Sequence, residues 1–231
     1  MFVFSVGIIV LTSDIFGIKQ IQVEGNTYLS KEDIILESGI SYGQNVLKIN
    51  PEVCEKKIEK NPWIQSAIVH REFPDKILIQ VIEKEEAAAV KYMGSFVLID
   101  ISGCVLSIVE NLKDFSVPVI TGLDLVEIPK IGQAIETKDK LQKAKLLEFL
   151  KAFKVNDLNE QVSELNLEDL QEINLYVRGG LEIKTGEGKN IVKKLALLQP
   201  ILEDVWKNHR SNGFIDMRFD GDPIFRKNNN E

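Results

Sequence analysis

Histidine and cysteine are nearly missing from this sequence, with two of each in 231 residues. His70 and His209 stand far apart, and two lone imidazoles make neither a metal site nor a nucleophile–base–orienter triad. Placement accounts for both: His70 falls at the polar phase of a strand-like run, and His209 falls in the basic helix end Lys207-Asn208-His209-Arg210, where a cation is favoured. Cys54 and Cys104 form no Cys-x-x-Cys pair, which sets aside a zinc ribbon and a disulfide framework. Two free thiols are expected, joined only if the fold brings their Cα atoms within disulfide reach. Basic charge is also short. Lys and Arg number 28 against 35 Asp and Glu, a formal net charge of -7, so no basic face is available to displace counterions from nucleic acid, and nucleic-acid binding is not expected. Gly179-Gly180 and Gly186-Glu187-Gly188 lack both the spacing and the Lys-Ser/Thr ending of a phosphate loop and read as turns. No catalytic residue, metal, cofactor or small-molecule substrate is expected.

A complete membrane span is missing as well. Met1 to Leu11 reads MFVFSVGIIVL without a charge, and apolar character persists through Ile15, Phe16 and Ile18, but Asp14 interrupts it before the roughly 20 apolar residues of a spanning helix. Residues 1–17 are therefore read as part of a membrane anchor whose basic leader and first turns are expected to precede it. A cleaved secretory signal is the weaker reading, because no small-x-small site follows and no basic leader precedes the run.

What is present is material for a core: 44% hydrophobic and 27% charged residues, enough for one large domain or two small ones. Ile18 to Val23 alternates apolar and polar as a half-buried strand does and ends at the turn Glu24-Gly25-Asn26. Ser30 is placed to cap a helix over Lys31 to Glu37, with Ser38-Gly39 as its exit. Asn50-Pro51 opens a second helix, since proline at the first helical position loses no bond, and Asn61-Pro62 closes it. Ile64 to Arg71 and Lys76 to Glu83 are β-branched runs joined through Phe73-Pro74-Asp75, a hairpin signal. The order is strand, helix, helix, strand, strand.

That order, in these words, resembles a POTRA domain, and in particular the POTRA domain of the FtsQ/DivIB family of bacterial cell-division proteins. The strand ending at Val23-Glu24-Gly25-Asn26, the entry Asn50-Pro51, the stop Asn61-Pro62-Trp63 and the hairpin Ala67 to Ile77 carry the likeness. One departure is the run Glu83-Lys84-Glu85-Glu86-Ala87, where the family commonly has a proline; a less rigid hinge is expected there. These acidic residues alternate with lysine and read as a solvated linker.

The second half continues the resemblance. Phe96 to Ile99 and Cys104 to Leu106 flank Asp100-Ile101-Ser102-Gly103 as a hairpin, and Val117 to Gly122 is a strand ending in a glycine turn. Lys138 to Phe153 carries apolar residues at helical spacing. Ile173 to Val177 and Leu181 to Ile183 form a hairpin about Gly179-Gly180, which tolerates positive φ at both turn positions. A further helical pattern, Ile191 to Val205, contains Pro200, so a kink or restart is expected. Gly213 to Phe219 alternates as a last strand, and Asp216-Met217-Arg218-Phe219 is similar to the family's closing Asp-x-Arg-Tyr, with phenylalanine in place of the tyrosine hydroxyl.

The expected fold class is α+β: a truncated N-terminal membrane helix over 1–17, a POTRA domain of β-α-α-β-β order over 18–85, a larger mixed α/β domain over 86–227 with an antiparallel sheet and flanking helices, and a disordered tail over 228–231. The resemblance implies a single-pass cell-membrane protein at the division septum, anchored in the lipid bilayer through its N-terminal helix, with most of the chain extracytoplasmic. It implies partners of the FtsL type and the FtsB/DivIC type, bound by strand addition at the C-terminal edge through Met217, Arg218, Phe219, Gly221, Ile224 and Phe225. The plainer alternative has Phe219 filling the core and Arg218 pairing with Asp216. The POTRA hairpin edge, Ile64 to Arg71, is a second candidate docking edge. Two other functions remain open: a POTRA-type chaperone or translocation module, and an extracytoplasmic cell-wall enzyme using paired carboxylates.

Overall fold

The apolar–polar alternation after Ile18 becomes strand β1, Gln20–Glu24, in a computed structural model that describes residues 14–113, 116–207, 213–219 and 221–227. Residues 1–13 of the expected anchor, His209 and the tail 228–231 lie outside the described residues. Among the described residues no helix is long and apolar enough to cross a membrane. The chain divides into two compact units, Met1–Glu85 and Glu86–Glu231.

In the first unit, β1 leads to helix α1, Lys31–Ser38, whose start is fixed by Ser30 accepting a hydrogen bond from the Asp33 amide and whose end is Gly39 in the left-handed region at φ 71°. A short 3-10 helix, Val46–Lys48, precedes helix α2, Pro51–Ile58, capped by the Asn50 side chain. Strands β2, Ile64–Glu72, and β3, Lys76–Glu83, complete a three-stranded sheet of order β1-β3-β2, with β1 parallel to β3 and β2 antiparallel to it. The helices close over one face, burying Ile21, Ile34, Ile58, Ile77 and Ile79. Asn61 accepts from the Trp63 amide and donates to Glu37, and the buried Trp63 ring stacks on Tyr28 at 3.8 Å between centroids.

Glu83 is not part of a solvated linker, as its acidic neighbours suggested. It ends β3, and its carboxylate accepts from the amides of Thr27 at 3.0 Å, Tyr28 at 2.7 Å and Leu29 at 3.0 Å. One side chain thus satisfies three main-chain donors in the segment between β1 and α1.

Among the described residues the second unit is a nine-stranded sheet with helices. Its strands are β4, Ala88–Tyr92; β5, Ser95–Ile99; β6, Val105–Val109; β7, Val119–Thr121; β8, Val162–Asn166; β9, Ile173–Val177; β10, Glu182–Gly186; β11, Gly213–Asp216; and β12, Ile224–Lys227. They lie in the order β12-β11-β10-β9-β8-β7-β4-β5-β6. The sheet is mixed and not antiparallel as the hairpin signals implied: β4 with β7, β7 with β8, and β10 with β11 run parallel. For the last two pairs the reason is connectivity, since helical crossovers join β7 to β8 and β10 to β11, and a crossover returns the chain to the same end of the sheet. Helix α3, Lys140–Val155, supplies the first crossover and buries Leu146, Phe149, Leu150 and Phe153. The buried Gln142 binds it to the sheet, donating to the carbonyls of Gly122 and Leu167 and accepting from the Asp124 amide. The second crossover holds α4, Ile191–Leu195, and α5, Leu198–Lys207. The expected restart is present, but it falls before Pro200, which sits in the first turn of α5 where its missing N–H is tolerated.

Replacing Glu83 with alanine leaves three amides without their acceptor and is expected to destabilise the first unit by roughly 1–3 kcal/mol. Thermal unfolding followed by circular dichroism measures the loss, and hydrogen exchange should quicken first at Thr27, Tyr28 and Leu29.

Candidate functional site

The C-terminal end of the large sheet gathers the residues expected to meet a partner. β11 is an inner strand, parallel to β10 on one side and antiparallel to β12 on the other, with Asp216 opposite Ile224 and Gly213 opposite Lys227. Gly213 is there for close approach, because a Cβ would lie 2.3 Å from the Arg226 carbonyl and 2.6 Å from the Phe225 ring.

The strand expected to run through Phe219 stops at Asp216. Met217 is 2% exposed; its amide donates to the Lys184 carbonyl at 2.8 Å, and its carbonyl accepts from the buried Lys194 ammonium at 2.7 Å. It is an anchor of the strand end and presents nothing to solvent, which corrects its place among the docking residues. The sheet edge belongs instead to β12, a strand that its short length and charged end hid from the alternation signal.

Asp216 organises this end. Its side chain is 1% exposed, and it receives the Arg218 guanidinium in a two-pronged contact at 3.0 and 2.9 Å, the Arg218 amide at 3.2 Å, and the Arg226 Nε at 3.1 Å. One carboxylate therefore joins β11, the turn after it and β12. The Arg218 hydrogen bonds hold the Asp216 carboxyl below the usual carboxylate range, against the opposing effect of burial. The pairing of Arg218 with Asp216 is as the plainer reading expected, yet Phe219 does not fill the core: it is 65% exposed, with the Arg218 guanidinium 5.7 Å from its ring centre. Glu172, Glu187 and Lys189 rim a cavity of about 230 Å³ that Arg218 and Phe219 also line. Gly221 has φ 133° and open space around it. On β12, Ile224 is 56% exposed while Phe225 packs against the core. Arg226, which the sequence reading passed over, closes the set; its only sequence signal is a cation two residues after Ile224.

Elsewhere, both thiols are free, and burial pushes the Cys54 thiol up. His70 is exposed on β2. Among the described residues no group of three or more His, Cys, Asp and Glu is placed to hold a metal ion.

Residues 16–84 match the family model described as POTRA domain, FtsQ-type, and residues 88–218 match that described as Cell division protein FtsQ/DivIB, C-terminal. The chain belongs to the FtsQ/DivIB family. It is 29% identical over 228 residues to the cell division protein DivIB of Clostridium botulinum strain Hall, covering 97% of this chain and 88% of that protein. It is 36% identical over 182 residues to the cell division protein FtsQ of Syntrophotalea carbinolica, covering 78% of this chain and 63% of that protein. With the DivIB of Clostridium tetani it shares 26% over 212 residues, 90% of this chain and 78% of that one. The FtsQ/DivIB C-terminal match ends at Arg218, so Phe219 and β12 lie beyond the span that carries it.

Asp216 makes a pH-dependent contribution of known sign. Its folded pKa is depressed below the ordinary 3.8, so its stabilisation is present above that value and is lost as pH falls toward the folded pKa. Asp216→Asn is expected to lower stability at pH 7 by roughly 1–3 kcal/mol. Its stability should then fall less steeply than the wild type's below pH 3.8; denaturant titrations at neutral and acid pH read both effects.

Proposed function

We propose that this chain is a non-enzymatic, single-pass scaffold of the bacterial division complex, working at the septum with the bulk of the chain outside the cytoplasm, its domains bounded at 18–85 and 86–227. Its partners are small membrane division proteins of the FtsL and FtsB/DivIC type, docked by strand addition along β12. Membership of a family of cell-division proteins supports the setting, and the uncharged run Met1 to Leu11 supports attachment to the bilayer.

The observation that carries the docking is the sheet's end. Among the described residues no strand lies beyond β12, and a strand edge offers N–H and C=O groups that an extended segment can pair with, while alternate side chains supply specificity. Phe219 and Ile224 stand exposed beside that edge, and Asp216 holds Arg218 and Arg226 in fixed positions next to it.

Titration calorimetry of the full chain against the soluble parts of FtsL-type and DivIC-type proteins from the same cell tests the reading. Phe219→Glu is expected to weaken binding by at least roughly tenfold, in keeping with loss of a central aromatic anchor, while the circular dichroism spectrum is unchanged because the ring is largely exposed. Wild-type affinity in the folded variant would remove Phe219 from the interface. Turnover of peptidoglycan fragments by the purified chain would favour the cell-wall enzyme, and binding to unfolded polypeptides without sequence preference would favour the chaperone.

A further inference from the structure

The longest strand of the first unit is also one of its edges. β2 spans nine residues and, among the described residues, pairs with β3 on one side only. Natural proteins blunt such edges with proline, with inward-pointing charge or by covering them. β2 has no proline, and the residues it turns into the core at its centre, Ala67 and Val69, are apolar. Ile68 between them is 51% exposed. An antiparallel pair of β2 strands related by a two-fold axis at Ile68 would be self-complementary, with Ile68 facing its own copy, which is the geometry of an isologous dimer.

The amides that such a pair would use are already engaged. Ala67 donates to Glu59 Oε1 at 3.2 Å, and Val69 donates to Glu55 Oε1 at 2.8 Å. Glu55 lies on α2 and Glu59 caps its end. Four helical residues rise about 6 Å, and two strand residues rise about 6.8 Å. A helix lying antiparallel along the strand therefore delivers carboxylates four residues apart to amides two residues apart. Farther along, the Arg71 side chain reaches the Leu47 carbonyl at 3.5 Å, a long contact that ties the same edge to the 3-10 helix. An incoming strand must displace two hydrogen bonds to charged acceptors, which are stronger than those its own neutral carbonyls would form, and its carbonyls would meet two negative charges.

We infer that Glu55 and Glu59 act together as a guard on β2, closing this edge of the POTRA unit against strand pairing with a second copy of the chain. The guard is independent of what docks at β12, and it argues against Ile64 to Arg71 as a standing docking edge.

Sedimentation velocity of the full chain, with mild detergent present for its apolar first residues, reads the outcome against protein concentration. Wild type is expected to keep one mass across the range. E55A/E59A should gain one further copy as concentration rises, and adding I68K should reverse the gain by setting two lysines face to face at the axis. A folded E55A/E59A that keeps the wild-type mass overturns the guard, as does a dimer that survives I68K. If E55A/E59A does not fold, E55Q/E59Q, whose neutral oxygens hold the amides no more strongly than an incoming carbonyl and repel none, decides in the same way. Hydrogen exchange in the wild type is a separate check: Ala67 and Val69 amides exchanging as fast as exposed loop amides would show that the carboxylates do not hold them.

Discussion

Main-chain N–H and C=O groups along the outer strands of a sheet must be satisfied by something, and much of the charge placement in this chain answers that requirement. The POTRA unit finishes β2 with Glu55 and Glu59. The far end of the large sheet is partly finished by its own loop, the Val105 amide donating to Gln133 and the Val105 carbonyl accepting from Gly132. At the opposite end, β12 is finished with cations, Arg226 and Lys227, of which Arg226 is tied back to Asp216. Three ends receive three treatments, and under the proposed function only the cationic one is kept for a partner.

Asp216 matters because it converts a short terminal strand into a rigid edge. A four-residue strand held by β11 alone would fray, since terminal segments open with little free energy. The carboxylate connects it through Arg226, the turn is fixed through Arg218, and Lys194 holds the carbonyl of Met217 from α4. Gly213 lets Phe225 lie flat against β11 and continue the core outward. Preorganisation of this kind lowers the ordering entropy that docking would otherwise have to overcome.

The parts of the fold legible in the sequence are those set by neighbours in the chain. Ser30, Asn50-Pro51 and Gly179-Gly180 act over a few residues, and the elements they bound stand where local chemistry places them. Resemblance to the family carried the order of elements across both units. What escaped depends on contacts between distant residues. Alternation continues through Phe219, but the strand ends at Asp216 because the Met217 carbonyl is claimed by Lys194, 23 positions earlier in the chain. Parallel pairing of β10 with β11 follows from the crossover and leaves no local mark. Glu83, Glu55 and Glu59 read as ordinary surface acids, since nothing within a few residues reveals that each reaches a main-chain donor on another segment. Arg218 with Asp216 was legible because the pair is two residues apart; the exposure of Phe219 was not.

The shortness of β12 bears on how a partner could be held. Of its four residues, alternate ones face outward, giving on the order of four main-chain hydrogen bonds to an added strand, each worth a net 0.5–1.5 kcal/mol. That total, about 4 kcal/mol, falls well short of the roughly 8 kcal/mol of a micromolar complex before any ordering entropy is counted. Strand pairing at this edge can therefore set register and direction, but most of the affinity must come from side chains. Phe219 and Ile224 are apolar groups exposed beside the edge; Arg218 has Asp216 and, at 3.9 Å, Glu172 as acidic partners, while Arg226 shares Asp216 with it. Under the proposed function, a partner segment that places an apolar residue against Phe219 and a carboxylate near Arg226 adds what backbone pairing lacks, whereas an uncharged polar strand does not.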